Sequence, residues 1–132
     1  MTPTAAHAPA HVSQQADAQA FWNSFRAAIG QQDWDALARM SAQPLVLRGE
    51  VDGVPAKRIT GGKVLATLRE QLGKPVFAGK GKAERSVADW VRETPLLAAK
   101  HWVAQDQFRV QNLVFRKGRD GWKLATIYDE DL

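Results

Sequence analysis

The chain has no cysteine among its 132 residues. That single absence excludes disulfides, cysteine-ligated metal centres and thiol nucleophiles together. Histidine is scarce as well: there are three, and His7 and His11 fall in the first fifteen residues, leaving His101 as the one imidazole in the body of the chain. Tyrosine occurs once, as Tyr128. No stretch approaches the roughly 20 consecutive apolar residues that span a bilayer. Carboxylates are outnumbered, 14 against 18 Lys and Arg, which gives a formal charge of +4 and a pI near 9.7. A balance of that size permits acidic partners without requiring them. What the chain does have is apolar bulk. Residues of that kind make up 45% of it, with five Trp and five Phe, and each aromatic buries on the order of 150–250 Å². The length is that of one domain.

The opening segment, MTPTAAHAPAHVSQQ, is rich in Ala and Pro and shows no apolar periodicity. Residues 1–15 are therefore expected to be a disordered tail, ahead of a single domain over 16–132. There is no basic n-region and no apolar h-region. Ala6-His7-Ala8 and Ala8-Pro9-Ala10 nevertheless look like residues left near a small-residue cleavage site. The expectation is a periplasmic or secreted protein if Met1 replaces a removed signal peptide, and a cytoplasmic one otherwise. His7 and His11, four apart, would make a metal pair on a helix, but Pro3 and Pro9 favour a solvated tail.

From Ala16 to Ile29 the pattern is helical, with Phe21, Phe25 and Ile29 spaced by four and Trp22 and Ala28 widening the stripe. Gly30 is expected to end it, and Asp33 to cap a short second helix to about Met40. The period then changes. Leu45–Val51 reads as a strand, Asp52-Gly53 as a hairpin turn, and Val54–Ile59 as the return strand, placed at a sheet edge or at a bulge by Pro55. Thr60 is a candidate cap for a third helix over Gly62–Leu72, whose Val64, Leu65, Leu68 and Leu72 share one face. A loop over 73–85 follows, then a short helix to Arg92 capped by Ser86. The last third is β-like: His101–Ala104, one long strand over Gln107–Lys117, a turn at Gly118-Arg-Asp-Gly121, and Trp122–Tyr128, with Trp122, Leu124, Thr126 and Tyr128 on one face. The layout is α+β, a curved antiparallel sheet forming a cone covered by about three N-terminal and central helices.

Two segments of this layout carry a resemblance. FWNSFRAAIGQQDWDALARM has a helix, a Gly-Gln-Gln-Asp step at Gly30–Asp33, and a second helix through Leu37. FRVQNLVFRKGRDGWKLATIYDED closes with Gly121-Trp122-Lys-Leu124 and Tyr128. Their order over residues 16–129 resembles the NTF2-like superfamily, which includes SnoaL-type and ketosteroid isomerase-like proteins. The resemblance implies a pocket between the helices and the hollow face of the sheet, and a homodimer formed through the sheet, with Leu113, Phe115 and Ile127 at the interface. It also implies where an isomerase would keep its Tyr and its Asp base. Those positions fall on Phe25 and near Leu47-Arg48. A phenyl ring donates no hydrogen bond and a guanidinium abstracts no proton at neutral pH, so the isomerase mechanism is not expected.

Other chemistries are weighed from the residues alone. The stretch GKPVFAGKGK at Gly73–Lys82 has the composition of a phosphate cradle but not its pattern. Gly73 and Gly79 are separated by five residues, Lys80 is followed by Gly81, and a helix precedes the loop where a P-loop needs a strand. Lys74, Lys80, Lys82 and Arg85 are expected to form a solvated basic patch. Between Arg48 and Arg92 ten Lys and Arg face five Asp and Glu. Strand alternation assigns the nearby aromatics to a core or interface, so nucleic acid is not the expected partner. With no Cys and no carboxylate cluster, no metal and no cofactor are expected. No nucleophile–base set is legible, and Asp129-Glu-Asp131 reads as an acidic tail. The expected function is non-catalytic binding of a small molecule or protein partner in the cone or through the sheet. The pocket candidates are Trp22, Phe25, Arg48, His101, Trp102 and Tyr128, with Arg48 as a bidentate holder of an anion if it turns inward. The alternative is a SnoaL-type isomerase, cyclase or hydratase acting on a hydrophobic molecule, assisted by His101 or Tyr128.

Overall fold

A computed structural model describes residues 10–51, 53–76, 85–129 and 131–132. Of the expected tail over 1–15, residues 1–9 lie outside the described residues, as do the Asp52 turn position and the stretch 77–84, while residues 10–15 belong to a helix. Helix α1 runs Ala10–Gln31, so it starts earlier and ends later than the Phe21–Ile29 stripe suggests. Its buried line is Ala18, Trp22, Phe25 and Ile29, a 3.6-residue stripe. Gly30 is helical rather than a cap. The helix closes two residues later, where Gln32 takes φ +54°. The Gln32 amide donates to the Ile29 carbonyl and the Asp33 amide to the Ala28 carbonyl, the paired bonds of a Schellman motif. Asp33 then caps α2 (Trp34–Arg39) by accepting from the Ala36 amide.

Strand β1 (Ser41–Arg48) pairs antiparallel with β2 (Lys57–Ile59). Helix α3 (Lys63–Leu72) follows, with Gly62 at its N-cap and no side-chain cap, so Thr60 does not serve. A two-stranded ribbon, β3 (Pro75–Val76) with β4 (Arg85–Ser86), occupies the ends of the expected loop. Ser86 and Asp89 make a reciprocal capping box on α4 (Val87–Arg92). After a 3-10 turn at Ala99–His101 come β5 (Trp102–Ala104), β6 (Gln107–Val110), β7 (Leu113–Gly118) and β8 (Gly121–Tyr128). The expected long strand over 107–117 is two strands, because the chain turns at Gln111, held at φ +54°.

The fold is α+β: among the described residues, four helices lie over a six-stranded open sheet in the order β2-β1-β8-β7-β6-β5. The sheet is mixed rather than wholly antiparallel, since β1 runs parallel to β8. Hairpin signals specify neighbours joined by turns; β1 and β8 share no turn, so nothing local fixes their direction. Among the described residues no helix is long and apolar enough to cross a membrane.

Two further corrections come from the sheet's faces. Along β7–β8, Val114 pairs with Thr126 and Phe115 with Leu124, so the register skips Ala125. This bulge breaks the period of two. Leu124 and Ile127 both join the helix-side core, whereas Thr126 and Tyr128 turn to the opposite face. Leu113, Phe115 and Ile127, expected at a sheet interface, are fully buried within that same core and are not available to a second copy. The hollow of the sheet is filled. Phe108 and Phe115 stack at 4.7 Å, Phe25 meets Phe115 edge-on at 5.1 Å, and Trp22 lies parallel to Phe25 at 5.9 Å.

Candidate functional site: a polar cavity at the end of the sheet

At the end of β8, four segments that are distant in sequence converge. Gln71 shares the buried stripe of α3 with Val64 and Leu68 and is 2% exposed. Its Nε2 donates to Asp129 Oδ2 at 2.9 Å. Lys74, just past the helix, donates from Nζ to both Asp129 oxygens at 3.0 Å and to Asp131 at 3.2 Å. The Asp131 amide donates to Asp129 Oδ1, and the Asp129 amide to the Arg48 carbonyl. Asp129 is therefore held from the helix, the sheet and its own chain. Burial by itself would raise its carboxyl. The hydrogen bonds from Lys74 and Gln71, with the backbone bond from Asp131, outweigh that and leave the carboxyl below its ordinary value. Burial likewise opposes the Lys74 charge, but its bonds to Asp129 and Asp131 leave the ammonium above its ordinary value.

The β6–β7 turn supplies the opposite wall. Asn112 Nδ2 donates to the Tyr128 carbonyl at 3.0 Å, and the Tyr128 amide to the Asn112 carbonyl at 2.9 Å. Arg109 lies over the Tyr128 ring at 4.5 Å, donates to the Gln111 carbonyl, and reaches Glu50 at 3.6 Å. Between these walls is a cavity of about 200 Å³, closed on its apolar side by Val76 and Val87. Gln71 and Asn112 both line it, and the side-chain oxygen of each, Gln71 Oε1 and Asn112 Oδ1, is buried with no hydrogen-bond partner among the described residues. Each residue donates through its amide nitrogen. The other buried atoms lacking partners among the described residues are the indole N–H groups of Trp90 and Trp122, neither of which lines the cavity. A buried acceptor without a partner costs about 1–3 kcal/mol.

The residues expected to line a pocket are dispersed. Tyr128 lines this cavity. Trp22 and Phe25 are completely buried in the core, and the Trp22 indole donates to the Thr94 carbonyl. Trp102 packs against Phe108 and Trp122 and borders a separate shallow depression along β5. Arg48 is exposed. His101 sits in the 3-10 turn, where its Nδ1 accepts from the Ala98 amide; burial, then the neighbouring Lys100 charge, pull it below its ordinary value. Sequence reasoning missed Gln71, Lys74, Asn112 and Asp129. Lys74 is an ion-pair partner rather than part of a solvated patch, and Asp129 is a buried end of the sheet rather than a tail. Among the described residues no three His, Asp or Glu side chains gather as a metal site would need.

Comparison with protein-family models, curated proteins and solved structures returns no match for this chain.

Proposed function

We propose that the chain is a non-catalytic domain of the NTF2-like kind that holds a small, uncharged polar molecule in the cavity at the end of the sheet. The observation that carries this reading is the pair of buried amide oxygens, Gln71 Oε1 and Asn112 Oδ1, unpartnered among the described residues and belonging to residues on opposite walls of the cavity. Two acceptors call for a ligand with N–H or O–H donors. Charge in the lining balances, with Glu50 and Asp129 against Lys74 and Arg109, so no net ligand charge is needed. About 200 Å³ is below the roughly 300–1,000 Å³ of sites for drug-sized ligands. A sugar, polyol or primary amide suits that size.

Non-catalytic binding is favoured because the ion pair is tuned the wrong way for proton transfer. Asp129 is pushed down and Lys74 up, each away from the neutral range where a general acid or base works best. The alternative, a SnoaL-type enzyme assisted by His101 or Tyr128, is the less favoured reading: His101 is not among the lining residues, and Tyr128, which is, has its ring covered by Arg109.

Saturation-transfer NMR with a mixture of neutral sugars, polyols and primary amides tests this reading. Wild type is expected to give transfer to at least one of these classes. Gln71→Met, which keeps the shape and removes the acceptor, is expected to abolish it while the circular dichroism spectrum is unchanged. No transfer to wild type, or equal transfer to both proteins, refutes the reading.

A further inference from the structure

The six strands of the main sheet contain seven Lys or Arg and no Asp or Glu. Pairing arranges most of these cations on one face. Arg58, Val46, Thr126, Val114 and Arg109 form a continuous cross-strand row over five strands. Two residues along β7, Arg116 pairs with Lys123, and two residues along β1, Arg48 pairs with Tyr128. This is the face away from the helices: Val114 and Thr126 are buried yet stand outside the helix-side core, while their strand neighbours Phe115 and Ile127 are in it. The result is a row with Val46 half-buried and Thr126 and Val114 buried at its centre, edged by Arg48, Arg58, Arg109, Arg116 and Lys123. Glu50, loosely paired with Arg109, is the one carboxylate within salt-bridge reach of these five among the described residues.

We propose that this face docks an acidic protein segment, one carrying several Asp and Glu side chains. Guanidinium groups take carboxylates in bidentate fashion, and Arg48, Arg58 and Arg116 stand exposed on this face. At about 4.8 Å per strand the row from Arg58 to Arg109 spans roughly 19 Å, and three rows cover about 13 Å. That footprint is far below the ~800 Å² per partner of a standard interface. It fits a peptide-like segment that binds weakly and is steered by charge. A second copy of this chain would set five cations against five. Single-stranded nucleic acid would need exposed stacking rings, but Phe108, Phe115 and Trp122 are turned to the core and Tyr128 is covered by Arg109.

The test uses the full chain, a fluorescein-labelled 16-residue peptide of Asp, Glu, Leu and Val, and a labelled single-stranded DNA of equal charge, read by fluorescence anisotropy. Wild type is expected to bind the peptide more tightly than the DNA, with affinity that falls as salt rises. The triple variant Arg48→Gln, Arg58→Gln, Arg116→Gln spares the cavity residue Arg109 and is expected to bind the peptide about tenfold more weakly. A charge-matched control off the face, Lys63→Gln, Lys100→Gln, Arg119→Gln, is expected to bind as wild type. Equal loss in both variants would reduce the effect to bulk charge and overturn the proposal. Tighter binding of DNA would overturn it in favour of nucleic acid. A dimer by light scattering that the face variant disrupts would overturn it in favour of self-association.

Discussion

Asp129 is where the end of β8 is tied to the end of α3. Its carboxylate accepts from Gln71, Lys74 and the Asp131 amide, so replacing it leaves the buried Gln71 amide and the half-buried Lys74 ammonium with weaker partners. Asp129→Asn is expected to cost about 1–3 kcal/mol near pH 7, measured by urea unfolding. The cost should depend on pH in a definite direction. The folded carboxyl titrates below its ordinary 3.8, so its contribution is present above that value and is lost as pH falls through the lower, folded-state value. Wild type and variant should therefore converge in stability as pH falls below 3.8; a constant gap would show that the carboxylate charge is not what holds the junction. Part of this was visible in the sequence. Gln71 is a polar residue on the same helical stripe as Val64 and Leu68, and a buried amide needs a partner. What could not be seen is that the partner stands 58 residues away, since no local pattern encodes the meeting of a helix end with the last strand.

At the scale of elements, capping chemistry was legible and backbone exceptions were not. Ser86 ahead of Val87 and Asp33 ahead of Trp34 were readable as caps, whereas the Asp89 half of the capping box and the absence of a cap from Thr60 were not. Ser86→Ala is expected to destabilise by about 1 kcal/mol, visible as a lower urea midpoint at unchanged slope. Gln32 and Gln111 instead hold positive φ, a role ordinarily marked by glycine, so the α1 terminus fell two residues beyond Gly30 and the β6–β7 turn was not evident at all. Gln32 is the αL residue of the Schellman motif, where a side chain costs roughly 1–2 kcal/mol. Part of that gain is offset by the greater freedom of glycine in the unfolded chain. Gln32→Gly is therefore expected to stabilise by up to about 1 kcal/mol, a rise of roughly 3–5 °C in Tm. No change would mean the site is relaxed. The bulge at Ala125 is a third exception. One skipped residue moved Tyr128 and Asp129 out of the alternation that starts at Trp122, and those two residues line the cavity.

For the whole molecule, amphipathic helices over a sheet follow from periodicity, and α+β architecture was readable on that basis. Where the hollow lies was not. The resemblance places a pocket between helices and sheet, but Trp22, Phe25, Phe108 and Phe115 fill that space, as 45% apolar composition with ten Trp and Phe permits. Phe115→Ala is expected to cost about 3–5 kcal/mol, because its ring is packed on four others; a loss below 1 kcal/mol would mean that the interior is loosely packed. A polar cavity lies instead at the end of the sheet, lined by Lys74 and Asp129 among others. The most direct measurement on that claim is a crystallographic soak of the protein with hydroxylated and primary-amide fragments. The account predicts fragments in the cavity, with a donor within hydrogen-bond distance of Gln71 Oε1 or Asn112 Oδ1. Fragments bound only elsewhere, with both amide oxygens satisfied by ordered water, would contradict it.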